Sequence, residues 1–146
     1  MEVLRVKRLY PDAQMPRRAT KGSTGLDLFA HIKDKSGRIL LHEKPELIGT
    51  GIAVEAAQGY DLQIRPRSGL SAKGVMVAFG TVDSDYRGEL LVTMYTLGRD
   101  SAFEVRHGDR IAQLVVSKLA DLLIEEVEEL SSTQRGSQGH GSTGRV

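Results

Sequence analysis

The sequence predicts an all-β domain, a barrel or a sandwich, on three observations. Its apolar runs are short, and the clearest of them, YDLQIRPR (60–67), alternates apolar and polar residues strictly. Turn-forming breaks recur between the runs, among them DKSGR at 34–38, Gly59, Gly74 and GRD at 98–100. The chain has 146 residues, enough for one compact core. Short strands separated by regular turn signals are the pattern of barrels and sandwiches.

Composition narrows the chemistry. There is no cysteine, which excludes a disulfide framework, a thiolate nucleophile and a Cys-ligated zinc. The formal net charge is +1, so no broad basic field points to nucleic acid as a partner. With 40% hydrophobic and 27% charged residues and no apolar run of signal-peptide or membrane-spanning length, a soluble, cytoplasmic protein without a membrane partner is expected.

Residues 2–9 (EVLRVKRL) mix apolar and charged positions and read as an opening strand. PDAQMPRRATKGS (11–23) has two prolines and no period, so it is a loop. STGLDLFAHI follows as a strand entered through Gly25, with Leu26, Leu28 and Ala30 on one face and Asp27, Phe29 and His31 on the other. Asp27, near its start, is either a cap or a phosphate-site group. ILLH (39–42) is a short strand, and PELIGTGIAVEA is a strand pair interrupted by Gly49 and Gly51. In YDLQIRPR, Tyr60, Leu62 and Ile64 face one way and Asp61, Gln63 and Arg65 the other, until Pro66 ends the strand.

RSGLSAKGV (67–75) has room for one or two helical turns, with Ser68 as the N-cap and Gly74 as the stop. Such a helix start, flanked by Arg65 and Arg67, suits an anion, and equally suits a connector with solvated arginines. VMVAF and TVD give two strand pieces around Gly80, and LLVTMYTL (90–97) gives another. AFEVRHGDR places a hairpin at His107–Asp109, with His107 a turn residue rather than a catalyst. RIAQLVV is apolar enough to be buried on both faces, so Gln113 needs hydrogen-bond partners, either structural or in a ligand. In SKLADLLIEEVEEL (117–130) the spacing of Leu119, Leu122, Leu123, Val127 and Leu130 favours a helix, against the strand character of everything before it.

The stretch with the most chemistry is GTVDSDYRGEL, residues 80–90. Asp83 follows Thr81 and Val82, at the end of a short strand rather than out in the polar turn. A carboxylate held there suits a general base, because the scaffold fixes it while the loop admits substrate. The same residues also read as Asp83 and Asp85 capping a turn. The tail, SSTQRGSQGHGSTGRV, has no acidic residue and cannot bury a core, so a mobile arm is expected. Gly136 and Gly141 stand at phosphate-loop spacing with Thr143 in place, but Ser142 holds the lysine position and no strand or helix can surround it, which rules out a P-loop nucleotidase.

The order of the motifs decides what no single one does. STGLDLFA, PRSGLSAKG, GTVDSDYRGEL, GDRIAQLVV and RGSQGHGSTG, spanning residues 22–144, closely resemble the five ordered motifs of the trimeric deoxyuridine triphosphatase (dUTPase) family. That resemblance implies a homotrimer of jelly-roll-like β-barrels, formed by residues 1–130, with 131–146 as a flexible C-terminal arm that closes over nucleotide. It also replaces the helix at 117–130 with a largely extended segment that joins subunit packing. The implied reaction is Mg²⁺-dependent hydrolysis of dUTP to dUMP and pyrophosphate, in sites shared between subunits.

Residue by residue, the resemblance makes Asp83 the group that activates water at the α-phosphate. Arg67, Ser68, Gly69 and Gln113 become phosphate contacts, and Arg135, Gly141, Ser142 and Thr143 close on the phosphates from the arm. Tyr86 packs under the deoxyribose, Phe79, Gly80 and Val82 belong to the hairpin that reads uracil, and His140 stacks on the base. No residue is implied as a direct metal ligand; Asp27 acts through the arginine and metal-bound water, and Mg²⁺ stays mostly on the phosphates. The chain departs from the family pattern with His140 in place of Phe, Gln138 in place of Gly, and a shortened segment before the third motif. Two other activities fit parts of the pattern. A dCTP deaminase needs a glutamate in the strand after the third motif, where LLVTMYTL has none, and a non-catalytic nucleotide-binding relative has no use for Asp83.

Overall fold

A computed structural model describes residues 2–139, which are all-β apart from one helical turn. In chain order the strands are β1 (Arg5–Arg8), β2 (Leu26–Phe29), β3 (Arg38–Leu41), β4 (Glu46–Gly49), β5 (Ile52–Glu55) and β6 (Tyr60–Arg65). The helical turn α1 (Ser68–Ser71) follows, then β7 (Val75–Val77), β8 (Gly80–Val82), β9 (Leu91–Thr96), β10 (Phe103–Arg106) and β11 (Arg110–Lys118). Among the described residues these strands form sheets ordered β2-β11-β6-β8, β4-β9-β7, β1-β5 and β10-β3, with every pairing antiparallel. They do not join into one continuous hydrogen-bonded barrel.

One core lies between the sheets. Leu28, Leu62 and Leu114 enter it from the four-stranded sheet, Ile48 and Met94 from the three-stranded one, and Val105 from β10; all are 0–1% exposed. Truncating one such leucine to alanine typically costs about 2–5 kcal/mol. The alternation in β6 holds, with Leu62 and Ile64 buried and Arg65 exposed. β11 is buried on both faces as expected, with Ile111, Ala112, Leu114 and Val115 all enclosed.

The second face of β2 is buried as well, under the loop that the prolines predicted. Arg17 lies 5.2 Å over the Phe29 ring, Tyr10 stacks on His31 at 4.4 Å, and Arg17 O accepts the Asp27 N–H at 2.8 Å. His31 Nε2 and Asp12 Oδ1 are 2.8 Å apart, and His107 Nε2 lies 3.5 Å from Asp12 Oδ2. Ligand-type atoms of these three residues lie within 4.8 Å of one another, a spacing a cation accepts. However, His107 Nδ1 accepts the Ile32 N–H at 3.1 Å, so the Nε2 facing Asp12 carries the ring proton in the neutral imidazole. The trio closes around the carboxylate, with a hydrogen bond from His31 and a longer contact from His107.

That clasp has a pH signature. The hydrogen bond from His31 holds the Asp12 carboxyl below its ordinary value of 3.8. A carboxyl whose folded pKa is depressed stabilises the fold above its unfolded pKa, and that contribution is lost as pH falls through the folded value. The expected result is that Asp12→Asn lowers the melting temperature at neutral pH, and that the gap to the parent protein closes as pH falls below 3.8. Parallel melting curves across that range check it.

Four local readings are corrected by the fold. The helical turn is entered from Arg67, in extended conformation at φ −96°, ψ 132°, so Ser68 is its first residue rather than its cap, and no side chain caps it. Ser71 Oγ instead donates to Arg67 O, and Gly74, at φ +76°, ends the turn as expected. His107–Asp109 is a tight turn but not a hairpin, because β10 pairs with β3 while β11 pairs with β2 and β6. The strands β4 and β5 likewise separate to β9 and β1. Finally, Ser117 and Lys118 end β11, and residues 119–130 form no helix. No helix among the described residues is long and apolar enough to cross a membrane.

Candidate active site

The first group of singled-out residues meets across three strands. Gln113 on β11 pairs in register with Asp27 on β2 and with Arg65 on β6, so the three stand in one row across the sheet. The Asp27 side chain is 14% exposed, with Arg67 Nε at 3.6 Å from one carboxylate oxygen and Arg110 Nη1 at 3.5 Å from the other. Arg67 Nη1 also donates to Arg110 O at 3.0 Å. One largely buried carboxylate therefore orients two guanidinium groups, a charge-assisted arrangement stronger than an exposed pair. Arg67 and Arg110, with Leu70, Phe103, Asp109 and Ile111, line a cleft of about 290 Å³.

Gln113 answers the question its burial posed. Its Nε2 donates to Pro66 O at 2.9 Å, which fixes the amide plane where β6 turns into α1. A primary amide has two such hydrogens, so one remains for another acceptor. Gly25 makes room for this side chain: a Cβ at Gly25 would stand 2.9 Å from Gln113 Cβ and closer still to its Oε1. Ser68 and Gly69 are exposed at the first positions of α1, where backbone N–H groups precede the first intrahelical bond.

The second group sits on β8 and the loop after it. Asp83 directly follows Val82, the last residue of β8, as its place in the sequence predicted. Phe79 is 77% exposed ahead of Gly80. The turn after Asp83 is held by backbone, with Tyr86 N–H donating to Asp83 O at 3.0 Å, and by Arg87 Nη1 donating to Ser84 O at 2.7 Å. Neither Asp83 nor Asp85 makes a side-chain hydrogen bond among the described residues, so capping is not what these carboxylates do here. Tyr86 folds back across Gly88 and donates its hydroxyl to Glu89 O at 3.0 Å. A Cβ at Gly88 would lie 2.9 Å from the ring's Cε2 and nearer to its hydroxyl, so glycine is required for the fold-back.

Gly80, Val82, Asp83 and Tyr86, with Ile64 and Leu90, line a cleft of about 210 Å³. On its other side Asp83 lines a larger hollow of about 840 Å³ together with Asp61, Asp85 and Arg87. The two groups thus face separate clefts of one chain. Arg135 stands in an exposed turn of the tail, its Nε donating to Gln138 O at 2.9 Å. His140, Gly141, Ser142 and Thr143 lie outside the described residues.

Two side chains escaped the sequence reading. Arg110 is the second guanidinium on Asp27; its signal was its place at the start of an apolar strand, where a charged group needs a partner. Glu89 reaches away from the loop to accept the Gly51 N–H at 2.8 Å, and no sequence pattern indicates that contact. As for a divalent cation, Asp27 is already neutralised by two arginines, which fits an indirect role better than direct ligation. Asp83 and Asp85 are exposed and fit a metal that arrives on a polyphosphate.

Known proteins resemble this chain along most of its length. The family model described as dUTPase matches residues 11–144. A deoxyuridine 5'-triphosphate nucleotidohydrolase of Neorickettsia sennetsu is 48% identical over 91% of this chain and 89% of its own length. One from Corynebacterium efficiens is 41% identical over 99% of this chain and 80% of its own. Among solved structures, a point-mutant dUTPase of Staphylococcus bacteriophage 80alpha with dUpNHpp superposes with a TM-score of 0.85 at 27% identity, covering 99% of this chain and all of that one. A point-mutant dUTPase of the S. aureus phage phi11, described with a structural Mg(II) ion, gives 0.79 at 24% identity over 89% of this chain and 99% of its own.

Proposed function

The chain belongs to the dUTPase family, and from that premise we infer that it hydrolyses dUTP to dUMP and pyrophosphate, with Asp83 activating the attacking water at the α-phosphate. The observation that carries the reading is the match over residues 11–144 together with an unengaged carboxylate at the end of β8, next to Tyr86. Asp83 takes a proton from water as its oxygen forms a bond to the α-phosphorus, and the bond from that phosphorus to the bridging oxygen breaks to release pyrophosphate. Arg67, Ser68, Gly69 and Gln113 hold the phosphates, and Arg135, Gly141, Ser142 and Thr143 complete the contacts from the arm. Mg²⁺, when bound with the triphosphate, neutralises charge on the phosphate oxygens. Asp27 orients Arg67 through the ion pair at 3.6 Å and would act on a bound metal only through water.

Tyr86 forms the floor under the deoxyribose, where a 2′-hydroxyl finds no room, and His140 stacks on the uracil. Phe79, Gly80 and Val82 present the hairpin to the base edge. The working unit is a homotrimer of jelly-roll-like barrels in the cytoplasm, with residues 1–130 as barrel and 131–146 as arm. Two observations support a shared site: the phosphate group and the nucleoside group face separate clefts of one chain, and residues 119–130 expose apolar side chains that find no cover among the described residues.

Pyrophosphate release with Mg²⁺ from dUTP, UTP, dTTP and dCTP, measured side by side, tests the reading. Release from dUTP alone is expected. Comparable release from dCTP or dTTP would make this a broader nucleotide pyrophosphatase whose shortened hairpin no longer reads uracil, and no release at all would leave a nucleotide-binding module.

A further inference from the structure

Glu89 borders the cleft of Asp83 and Tyr86, and its side chain is engaged elsewhere. Its Oε1 accepts the Gly51 N–H at 2.8 Å, in the turn between β4 and β5. Gly49 leaves the space, since a Cβ there would come within 2.6 Å of that oxygen. The backbone of the next residue is gripped by the same turn: Leu90 N–H donates to Ile52 O at 2.9 Å, and Thr50 donates to Leu90 O through N–H at 3.2 Å and Oγ1 at 2.8 Å. Glu89 and Leu90 are therefore pinned from side chain and main chain to a buried part of the fold. The Glu89 carbonyl, set by that clamp, accepts the Tyr86 hydroxyl at 3.0 Å. Tyr86 itself is 44% exposed, so little packing holds its ring.

We propose that Glu89 is a positioning residue for substrate choice: by clamping its side chain to Gly51, alongside the Leu90 N–H bond to Ile52 O that shares its peptide plane, it fixes the carbonyl that anchors the Tyr86 hydroxyl and so sets the height of the ring that excludes a ribose. The chain of contacts is Gly51 N–H to Glu89 carboxylate, then Glu89 carbonyl to Tyr86 hydroxyl, then ring to sugar. The last link rests on the reading of Tyr86 given above. Asp83 directly follows β8, and the turn after it is closed by main-chain and Arg87 contacts rather than by the Tyr86 ring, so the chemical step does not depend on the clamp. An unanchored ring has freedom to drop, admitting a 2′-hydroxyl and contacting deoxyribose less well.

The test is the ratio of kcat/KM for dUTP to that for UTP, measured on the full chain with Mg²⁺. Glu89→Ala is expected to lower this ratio about tenfold, the equivalent of one well-placed hydrogen bond, through a higher KM for dUTP with kcat changed by less than about twofold. Glu89→Gln keeps an acceptor oxygen for Gly51 N–H and is expected to restore the ratio. Tyr86→Phe cuts the chain of contacts at its other end and is expected to match Glu89→Ala, and it decides the matter if Glu89→Ala does not fold. A ratio unchanged in Glu89→Ala or Tyr86→Phe, while Tyr86→Ala abolishes discrimination, overturns the role of Glu89 and leaves that of Tyr86 standing. If Tyr86→Ala also leaves the ratio unchanged, the sugar contact itself is wrong and the proposal falls with it.

Discussion

Asp83→Asn is expected to reduce kcat by about 10³-fold, within the range that a positioned general base supplies, while binding of a non-hydrolysable dUTP analogue changes by less than about threefold. The substitution keeps the size and shape of the side chain and removes only its capacity to accept a proton. It is a clean probe because the fold does not use this carboxylate. The turn after β8 is held by the Asp83 carbonyl, which accepts the Tyr86 N–H, and by Arg87 on Ser84 O. The residue is exposed and lines two clefts. Stability should therefore stay near that of the parent, so that lost turnover reports chemistry rather than unfolding. Single-turnover kinetics with calorimetric binding to the analogue separates the two. Retained turnover would remove Asp83 from the chemistry, and parallel loss of binding and turnover would make it a substrate contact instead.

What the sequence disclosed was governed by how local the cause is. The alternation of β6 is visible because one face packs on the core and the other does not; Leu62 and Ile64 against Gln63 and Arg65 is a pattern of nearest neighbours. In β2 the same logic named the core face correctly but not the second buried face, because Phe29 and His31 are covered by Arg17 and Tyr10 from a loop with no period of its own. Strand partners were invisible for a similar reason. A tight turn at His107–Asp109 looks like a hairpin, but where the next strand pairs depends on β2 and β6, far away in sequence. The candidate site divides along the same line. Asp83 at a strand end and Gln113 in an apolar strand stand out as local anomalies, whereas Arg110 and Glu89 take their meaning from Asp27 and Gly51, which only the fold brings near.

The segment 119–130 is where local pattern pointed the wrong way, and it gives the second large prediction. Its leucines fall at helical spacing, but a helix gains most of its stability from a face to pack on, and this segment finds none among the described residues of its own chain. Leu119, Leu122, Leu123, Ile124, Val127 and Leu130 are all more than half exposed, with Leu123 at 96% and Ile124 at 94%. Fully burying side chains of this size contributes roughly 1.5–3 kcal/mol each, so a second subunit that covers them gains a substantial part of its binding energy here. Replacing both Leu123 and Ile124 by aspartate removes that gain and adds two charges whose burial is unfavourable. The double variant is expected to sediment as a monomer at micromolar concentration and to lose at least about a hundredfold in kcat/KM, because the phosphate group and the nucleoside group of one chain no longer meet those of another. Its melting curve should still show a cooperative transition, since the core between the sheets is untouched. A variant that sediments as the parent does, with full activity, would place these side chains outside any working interface and return the whole site to a single chain.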